Sequence, residues 1–551
     1  MKNEHFDVVV IGSGGAGLTS ALASRAHGAR TLLLEQADAV GGTYSYSSGL
    51  AWVPANSQMR AQGLLDSEEE ALAHVRELSG GRHDEAILQS FVHNAPRVID
   101  WLQAMQVPFD VVPGYPDYYA ERLGGKHEGR YVSSPVFYPG EHLDEYWVQH
   151  SSSSPHYTGL VASWREIQDW GGLAAMASWD WTELASRVVR NGRAFGAATT
   201  GYLLAACLRA GVDVRCRWSA SELITIDGRV TGVVARVLDG DGDATRVSAD
   251  WGVVLATGGY DASKGMQARW DPHPPATSIG VQSVDGSGIA MALEIGAAFQ
   301  VLDGQLLTPC YHIPGEEADG APLYRIAVRE PSFPGSIIVN GSGRRFCDES
   351  FYRAVCHGMV EWDVVHQRYP NRTAYMVFDE EWKRRYPLGS IGPGEVPSWL
   401  VHASSPALLA ERIGVDGAEL ASTIERYNQF AKAGEDPEFH RGGTEYGRNA
   451  GDASVTPNPC VRALEGELYA IEILLATVGT NNGLVYDVNG QVLHVRGQPI
   501  PGLYAAGNAG ANLAEGLWYN SGCSNARGMT FGYLAAQHMA ELASAAVPSD
   551  R

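Results

Sequence analysis

Three glycines and one acidic residue near the start of the chain are spaced so that they could hold phosphates and a ribose. Gly12, Gly14 and Gly17 form the pattern Gly-x-Gly-x-x-Gly. The first glycine allows a sharp turn, the second lets the main chain approach a pyrophosphate, and the third permits close packing of a helix on a strand. Glu35 stands 18 positions after Gly17, where a carboxylate can accept hydrogen bonds from ribose hydroxyls and would repel a 2′-phosphate. The motif therefore predicts a dinucleotide site.

The elements predicted around this motif are those that it requires. Residues 7–11 form a short apolar run, which is typical of a strand buried on both faces. Residues 16–27 are rich in alanine and leucine and predict a helix, and residues 31–34 predict a second strand that ends at Glu35. The N-terminus of such a helix offers free N–H groups to a phosphate. Strand, turn, helix and strand together form a βαβ unit, which gives the glycine motif its required context.

Three further glycine-rich segments favour FAD over NAD. Residues 41–49 form a loop rich in serine and glycine directly after the acidic strand, and residues 253–259 predict a strand with a small-residue turn. Near the C-terminus, residues 502–508 predict a strand that turns at Gly507, followed by a helix over 522–539 whose positive end would face the flavin. The predicted FAD contacts are Gly12, Gly14, Gly15, Ala16, Gly17, Glu35, Gly42, Thr43, Ser48, Gly49, Ala256, Thr257, Gly258, Gly507, Asn508 and Ser524.

Composition excludes several other classes of protein. The net charge of −22 argues against nucleic acid or an anionic membrane as a partner, since both select basic surfaces. No apolar stretch is long enough to cross a bilayer, so we expect no stable membrane insertion. The seven cysteines are widely spaced and show no metal-binding grouping with histidine, which predicts no metal site and a reduced, cytoplasmic protein.

The glycine-rich segments lie at both ends and near the middle of the chain, which predicts one domain assembled from separated segments. We expect a first part of the FAD-binding domain over residues 1–300, with an aromatic-rich insertion at about 60–190. A catalytic domain is predicted over 301–474, and the FAD-binding domain is completed by 475–551. The predicted fold class is α/β.

Together these segments resemble the flavoprotein superfamily of fumarate reductases and 3-ketosteroid dehydrogenases. The matching pieces are GSGGAG (12–17) with Glu35, GGTYSYSSGLAWVP (41–54), ATGG (256–259), PGLYAAGN (501–508) and MTFGYLAA (529–536). Residues 334–350, PGSIIVNGSGRRFCDES, are similar to the start of the inserted catalytic domain, and residues 113–119, PGYPDYY, look like an aromatic loop of the steroid pocket. The resemblance implies a Rossmann-like FAD-binding domain of the glutathione-reductase type with an inserted α+β catalytic domain.

The resemblance also implies a reaction, in which two hydrogens leave a C–C bond beside a ketone. Such a site needs a hydride acceptor, donors aimed at the ketone oxygen, and a base for the proton on the neighbouring carbon. By the match, flavin N5 accepts the hydride, and Tyr519 with the backbone N–H of Gly522 polarises the carbonyl. Tyr118, Tyr119 and Tyr324 are the candidate bases, and Tyr119 and Tyr324 are preferred.

Other functions remain open at this point. The order Tyr519-x-Ser521-Gly522 also resembles 3-ketosteroid Δ4-(5α)-dehydrogenases, in which the serine takes part, so Δ1 and Δ4 chemistry are not distinguished. A fumarate-reductase-type enoate reductase is kept open by Arg527. The substrate is expected to be a small apolar ketone, either a 3-ketosteroid or a cyclohexanone-like ring, and electrons must pass to an acceptor that the sequence does not identify. A flavin-binding subunit without catalytic activity has no supporting haem or iron–sulfur motif.

Overall fold

The structure is a computed structural model that describes residues 2–157, 159–238, 244–318, 320–513 and 520–546. Its strands are β1 Lys2–Ile11, β2 Thr31–Leu34, β3 Ala51–Trp52, β4 Asp110–Val111, β5 Tyr131–Ser133, β6 Asp213–Arg215, β7 Trp218–Ile226, β8 Arg229–Val237, β9 Thr245–Leu255, β10 Thr277–Ser278, β11 Phe299–Gln300, β12 Leu307–Ala318, β13 Ala321–Ile326, β14 Ser336–Asn340, β15 Ala374–Asp379, β16 Val401–Ala403, β17 Leu468–Thr477, β18 Gly483–Leu484, β19 Gln491–Leu493 and β20 Pro499–Ala505.

The helices lie between these strands, singly or in groups, and α18 follows the last strand. They are α1 Gly15–Ala26, α2 Gly42–Tyr46, α3 Ser57–Ala61, α4 Glu68–Leu78, α5 Glu85–Ala104, α6 Pro139–His142, α7 Glu145–Gln149, α8 Trp164–Asp169, α9 Trp181–Val189, α10 Phe195–Ala210, α11 Lys264–Trp270, α12 Ser287–Glu294, α13 Tyr352–Met359, α14 Glu380–Arg385, α15 Pro406–Ile413, α16 Gly417–Ala431, α17 Glu445–Ala450 and α18 Cys523–Ala546. Within the described residues, no helix combines the length and the apolar character needed to span a bilayer.

The larger sheet joins the two ends of the chain. Its strands run in the order β19-β20-β9-β1-β2-β6, and β8 and β7 extend it from β9. β1 pairs in parallel with β2 and with β9, and β20 pairs in parallel with β9. These parallel strands are buried on both faces, as their apolar sequences predict. The sheet therefore combines strands from the beginning, the middle and the end of the chain, and the division into domains stays a prediction.

Helices α1 and α18 pack closely against each other through glycines of α18. A Cβ at Gly532 would lie 2.5 Å from the main-chain oxygen of Ala16, and one at Gly528 would lie 3.3 Å from the Ala16 Cβ. A larger residue at Gly532 would push the helices apart, so the glycines that weaken the helix locally serve this contact. The helix also runs seven residues beyond the predicted end at 539, because the alanine-rich sequence up to Ala546 continues to favour it.

A second sheet lies in the region predicted to be the catalytic domain. Its strands run in the order β13-β12-β17-β15-β14, and β10 and β16 also pair with β17. Neighbouring strands are antiparallel except for the short pair β10 and β17. The strands span 277–477, close to the predicted catalytic segment of 301–474, and the exact domain limits stay a prediction.

The insertion at about 60–190 is mostly helical, with a small sheet in the order β3-β5-β4. The aromatic loop at 113–119 follows β4 and is held by a buried ion network. Arg130 contacts Asp117 at 2.9 Å and Asp66 at 2.7 Å, and all three side chains are fully buried. The indole of Trp52 donates to Asp117 at 2.7 Å. The network therefore ties the aromatic loop to β3, which lies beside α18.

Candidate functional site

A long groove crosses the larger sheet at the carboxyl ends of its parallel strands. It contains about 1360 Å³ of empty space, open solvent included, and lies at the edge where parallel α/β sheets bind ligands. The predicted FAD residues that line it are Gly12, Gly14, Gly15, Ala16, Glu35, Gly42, Thr43, Ser48, Ala256, Thr257, Gly258, Gly507, Asn508 and Ser524.

The glycine turn and the start of α1 have the shape that a pyrophosphate needs. Gly12 has φ +97°, and a Cβ there would lie 2.4 Å from the main-chain oxygen of Ala256, so only glycine fits. A Cβ at Gly14 would meet no atom within 4 Å, because this residue opens into the groove. The first N–H groups of α1 have no acceptor within the helix, and they can bind an anion as predicted.

Glu35 lies in the groove at the end of β2. Its Oε2 accepts from the main-chain N–H of Ser13 at 2.9 Å and from the Ser13 hydroxyl, and its Oε1 accepts from Ala37 N at 2.8 Å. Burial raises the pKa of the Glu35 carboxyl, and these hydrogen bonds oppose the rise. A carboxylate with about four acceptor positions keeps capacity for ribose hydroxyls, which is the role predicted for it.

A second buried acid and an orphaned hydroxyl give the groove further polar character. Burial raises the pKa of Asp261 to about 6, and a hydrogen bond from Ser278 at 2.6 Å acts against this rise. The Oγ of Ser524 is buried without a hydrogen-bond partner in the protein, although a buried hydroxyl normally has one. Because Ser524 lines the groove in the first turn of α18, a polar cofactor would satisfy it. The residues present therefore fit FAD.

Two of the predicted contacts support the groove from behind. A Cβ at Gly17 would lie 1.9 Å from the main-chain oxygen of Gly12, so this glycine lets α1 pack on the turn, and it does not line the groove. Gly49 has φ +70°, and a Cβ there would lie 2.3 Å from the carbonyl carbon of Phe195. It therefore lets the 41–49 loop approach α10.

The start of α18 brings two of the predicted catalytic residues to the groove. Ser521 and Gly522 both line it. Gly522 has φ +78°, and a Cβ there would lie 2.4 Å from Leu50 O, so a larger residue would disrupt this corner. Its carbonyl accepts from Trp52 N at 3.3 Å, which joins the helix start to β3. Tyr519, the predicted carbonyl donor, lies outside the described residues.

Asn520 connects this corner to the aromatic loop. Its side chain is fully buried, and its Oδ1 accepts from Tyr118 N at 2.8 Å and from the Tyr131 hydroxyl at 3.3 Å. The loop that carries Tyr118 is thus attached directly to the residue before Ser521. This contact attaches the main chain of the aromatic loop next to the groove residue Ser521, whereas Tyr118 and Tyr119 are not among the residues that line the groove.

Tyr118 is the centre of a tyrosine cluster that joins the insertion to the second sheet's domain. Its hydroxyl oxygen lies 3.3 Å from that of Tyr352 on α13, and its ring centre lies 4.3 Å from that of Tyr446 on α17. Burial raises the pKa of Tyr446, and the charge of Arg329 opposes this rise. Two hydroxyls in contact can pass a proton, so the cluster can perform acid–base chemistry.

The two tyrosines preferred from the sequence lie in different places. The ring of Tyr119 packs edge-on against Phe351 at 5.5 Å. Burial raises the pKa of Tyr119, and the charge and hydrogen bond of Arg353 lower it in part. Tyr324 lies on β13, 5.7 Å from the ring of His312, and no ring contact or hydrogen bond among the described residues joins it to Tyr118 or Tyr119.

A second cavity lies on the far side of the segment that leads into β12. It contains about 830 Å³ of empty space, open solvent included, and Arg353, Leu307 and Gln305 are among its lining residues. The neighbouring Leu306 lines the groove. One main-chain segment therefore separates the two spaces, and α13 contributes Tyr352 to the tyrosine cluster and Arg353 to the second cavity.

Sequence reasoning missed several residues of this region. Tyr352 comes two positions after the 334–350 segment that the family resemblance had already singled out, so extending that match could have found it. Others carry no local signal, because distant parts of the chain bring them together. The residues missed are Arg329, Tyr352, Arg353, Tyr446 and Asn520.

Arg527, the residue that kept an enoate-reducing function open, is used within the protein. Its Nη1 donates to Gly510 O at 3.0 Å and to Ala511 O at 2.6 Å, and its Nη2 donates to Asn508 Oδ1 at 2.9 Å. The side chain is almost fully buried. Its role in the structure is to hold the turn that follows β20, and both of its terminal nitrogens are occupied there.

The sequence is similar to FAD-dependent dehydrogenases over nearly its full length. Residues 7–526 match the family described as "FAD binding domain". The 4-oxocyclohexanecarboxylate 2-dehydrogenase of Sinomonas cyclohexanicum is 34% identical over 97% of this chain and 93% of its own length. The 3-oxosteroid 1-dehydrogenase of Mycolicibacterium smegmatis is 31% identical over 99% of both chains.

Solved structures agree with this similarity. The 3-ketosteroid Δ1-dehydrogenase of Sterolibacterium denitrificans, in complex with 1,4-androstadiene-3,17-dione, superposes with a TM-score of 0.88 at 28% identity, covering 98% of this chain and 100% of that one. The 3-ketosteroid Δ4-(5α)-dehydrogenase of Rhodococcus jostii RHA1 has a TM-score of 0.67 at 22% identity, with 98% of each chain covered. The similarity to the second of these structures shows a shared fold and nothing further.

Proposed function

The chain belongs to the FAD-binding family that its sequence matches, and we propose that it is a dehydrogenase that introduces a C=C bond next to the carbonyl of a cyclic ketone. The observation that carries the proposal is the tyrosine cluster beside the groove, where Tyr118 and Tyr352 have hydroxyls 3.3 Å apart. The substrates named for the relatives, 4-oxocyclohexanecarboxylate and 3-oxosteroids, support a ring ketone.

We propose that the carbonyl end of the substrate binds at the start of α18. The residues described above would bind FAD, which supplies a hydride acceptor when bound. Gly522 lies at the N-terminus of α18, where main-chain N–H groups and the helix dipole stabilise negative charge. A ketone oxygen that gains enolate character would be stabilised there. Tyr519 is proposed as the second donor to this oxygen.

We propose that the tyrosine cluster accepts the proton that leaves the carbon beside the carbonyl. The carbon beside a ketone is a weak acid, so its proton leaves only if the enolate is stabilised and a base is in place. We assign this base to the pair of Tyr118 and Tyr352, because their hydroxyls are in contact and Tyr118 is attached through Asn520 to the carbonyl-binding corner. Tyr119 packs beside the pair, and Tyr324 stays an untested candidate.

The same geometry bears on two alternative reactions, the Δ4-(5α) dehydrogenation and a fumarate-type reduction. Ser521 lines the groove, which supports keeping the Δ4-(5α) reaction as a second candidate. Arg527 uses its terminal nitrogens within the protein, which argues against a fumarate-type reductase that relies on it. The position of the new double bond would be assigned from the product by mass spectrometry and NMR.

An anaerobic flavin-reduction assay tests the proposal. The FAD-loaded protein is mixed without oxygen with 4-oxocyclohexanecarboxylate, cyclohexanone, androstenedione or succinate, and the visible flavin absorbance is followed. We expect at least one ketone to bleach the flavin and succinate to leave it unchanged. Bleaching by succinate alone would contradict the proposal, as would a flavin that stays oxidised with every ketone.

The location and the electron acceptor form the last part of the proposal. All seven cysteines are free, and six of them are buried, which supports the reduced environment of the cytoplasm. The electrons removed from the ketone must leave on an acceptor, and a panel of quinones, dyes and oxygen in steady-state turnover would identify its class.

A further inference from the structure

Arg329 is a deeply placed cation with no acidic partner among the described residues. It directly precedes the short 3-10 turn Glu330–Ser332. Its guanidinium carbon lies 5.4 Å from the ring centre of Tyr115 and 5.7 Å from that of Tyr446, and its Nη1 donates to Asn449 O at 3.2 Å. The side chains around it are those of tyrosines, and the adjacent Glu330 binds the Tyr311 hydroxyl at 2.9 Å instead.

Arg329 is also partly accessible. Its side chain is only half-buried, so a ligand group can reach it. Arg345, by contrast, is neutralised by Glu349 at 2.7 Å and Asp436 at 2.8 Å. Arg193 and Arg527 also lack a carboxylate partner among the described residues, but oxygen acceptors occupy both terminal nitrogens of each.

Two series of contacts connect Arg329 to the groove. On one side, the indole of Trp164 donates to the main-chain oxygen of Ser48 at 2.7 Å, and its ring lies 5.8 Å from that of Tyr115. Ser48 lines the groove. On the other side, Tyr446 lies between Arg329 and Tyr118 of the proposed base pair. Arg329 therefore lies close to the place where the ketone is proposed to react.

We infer that Arg329 binds a carboxylate on the ketone substrate. A cation held among protein side chains is costly unless an anion pairs with it, and the neutral tyrosines offer only the weaker attraction of their rings and the hydroxyl of Tyr115 as an acceptor. A substrate carboxylate would supply the missing charge with two parallel hydrogen bonds. The inference rests on the proposed function and narrows it: the expected substrate is a keto acid, and not the purely apolar ketone that the sequence suggested.

The carboxylate could come from two kinds of ketone. One is a single six-membered ring that carries the ketone and the acid, and the other is a 3-ketosteroid with an acidic side chain. Both present the same group to Arg329 and differ in the distance from ketone to acid. Comparing 4-oxocyclohexanecarboxylate with a 3-oxosteroid acid, each beside its methyl ester, separates the two.

Calorimetry on the FAD-loaded protein tests binding without turnover. Cyclohexanecarboxylate, which lacks the ketone, is titrated beside neutral cyclohexanecarboxamide. We expect the acid to bind about tenfold more tightly or better and Arg329→Met to abolish this preference. Arg329→Lys keeps the charge and should retain part of it. Arg344→Met, which removes an exposed cation paired with Glu419, should leave it unchanged. Equal binding of acid and amide by the unchanged protein would overturn the inference.

Kinetics separate a binding role from support of the tyrosine base. With Arg329→Met we expect KM for the keto acid to rise at least tenfold, while kcat/KM for its methyl ester and for cyclohexanone stays within a factor of three (about 0.7 kcal/mol). An equal loss of kcat for charged and neutral ketones would mean that Arg329 serves the tyrosines, and would overturn the inference. If no ketone reduces the flavin, the proposed function fails, while the calorimetry still decides whether Arg329 binds carboxylates.

Discussion

At the scale of single residues, the proposed chemistry depends on hydroxyl groups contributed by distant parts of the chain. Tyr118 belongs to the aromatic loop and Tyr352 begins α13, yet their hydroxyls are 3.3 Å apart. Neither hydroxyl lies on the FAD-binding sheet. Their contact therefore joins two regions whose relative placement determines whether a proton can be taken from the substrate.

Replacing Tyr352 by phenylalanine should lower turnover and leave FAD bound. Loss of a general base typically costs about 10²–10⁴-fold in rate, and Tyr352 is not a groove residue. Stopped-flow flavin reduction by the best ketone measures the loss, and the visible spectrum reports FAD content. Tyr324→Phe is the matched control and should keep nearly full activity. A normal rate for Tyr352→Phe, or a large loss for Tyr324→Phe, would reverse the assignment of the base.

Replacing Glu35 by glutamine should weaken FAD binding. The change keeps the shape of the side chain and removes the negative acceptor that Ser13 and Ala37 now bind. A hydrogen bond to a charged group contributes about 1.5–3 kcal/mol, so we expect the FAD dissociation constant to rise about tenfold or more. Fluorescence titration of the FAD-stripped protein measures it. An unchanged constant would show that Glu35 does not hold the ribose.

Local pattern predicted the groove residues much better than the catalytic ones. Gly12, Gly14 and Glu35 act within one βαβ unit, so their spacing in sequence determines their spacing in space. Tyr352 and Arg329 acquire their partners only when the insertion, α13 and α17 pack together. Neither hydrophobic periodicity nor a short sequence motif tells which of these distant residues will meet. Aromatic residues are also too numerous for their type alone to identify a site.

At the scale of secondary structure elements, buried ions and a glycine corner position the aromatic loop. The sequence predicted α1 and β2 within one or two residues, because apolar runs and capping signals are local. It did not predict that Arg130 would join Asp66 to Asp117. Charged residues usually lie on the surface, so burial of these three could not be inferred before the fold was known.

Removing Arg130 should destabilise the protein and reduce its activity. Arg130→Met removes the cation that both buried acids bind, leaving Asp66 with only Lys126 at 3.9 Å as a cationic partner within the described residues, and breaking a buried ion pair costs about 3–5 kcal/mol. Urea unfolding of the FAD-loaded protein should show a clearly lower midpoint. Arg76→Met is the control, because the Arg76–Glu85 pair is exposed and such pairs contribute about 1 kcal/mol or less. Equal midpoints for the two variants would contradict a positioning role for the network.

At the scale of the whole molecule, the cofactor groove joins segments from the beginning, the middle and the end of the chain. Residues of β1, β9, β20 and α18 all reach it or pair beneath it. The separated glycine-rich segments predicted this arrangement, since each segment alone could form only part of a dinucleotide site. The sequence did not predict which tyrosines and arginines the inserted domain would bring near the groove.

Removal of FAD should therefore lower the thermal stability of the whole protein. A ligand at 100 times its dissociation constant stabilises the folded state by about 2.7 kcal/mol. Scanning calorimetry of the stripped protein should give a lower Tm, and added FAD should restore it in a concentration-dependent way. NADP should have no such effect, because Glu35 would repel its 2′-phosphate. A Tm that does not respond to FAD would contradict the groove assignment.

The packing of α18 on α1 also sets a time order for biosynthesis. Gly528 and Gly532 contact Ala16, so the first glycine turn obtains its neighbour only after more than five hundred further residues have been translated. A nascent chain in which α18 has not yet been made lacks this last wall. Flavin loading must consequently follow synthesis of α18, and until then the apolar surface of α1 depends on temporary cover by the growing chain or by chaperones.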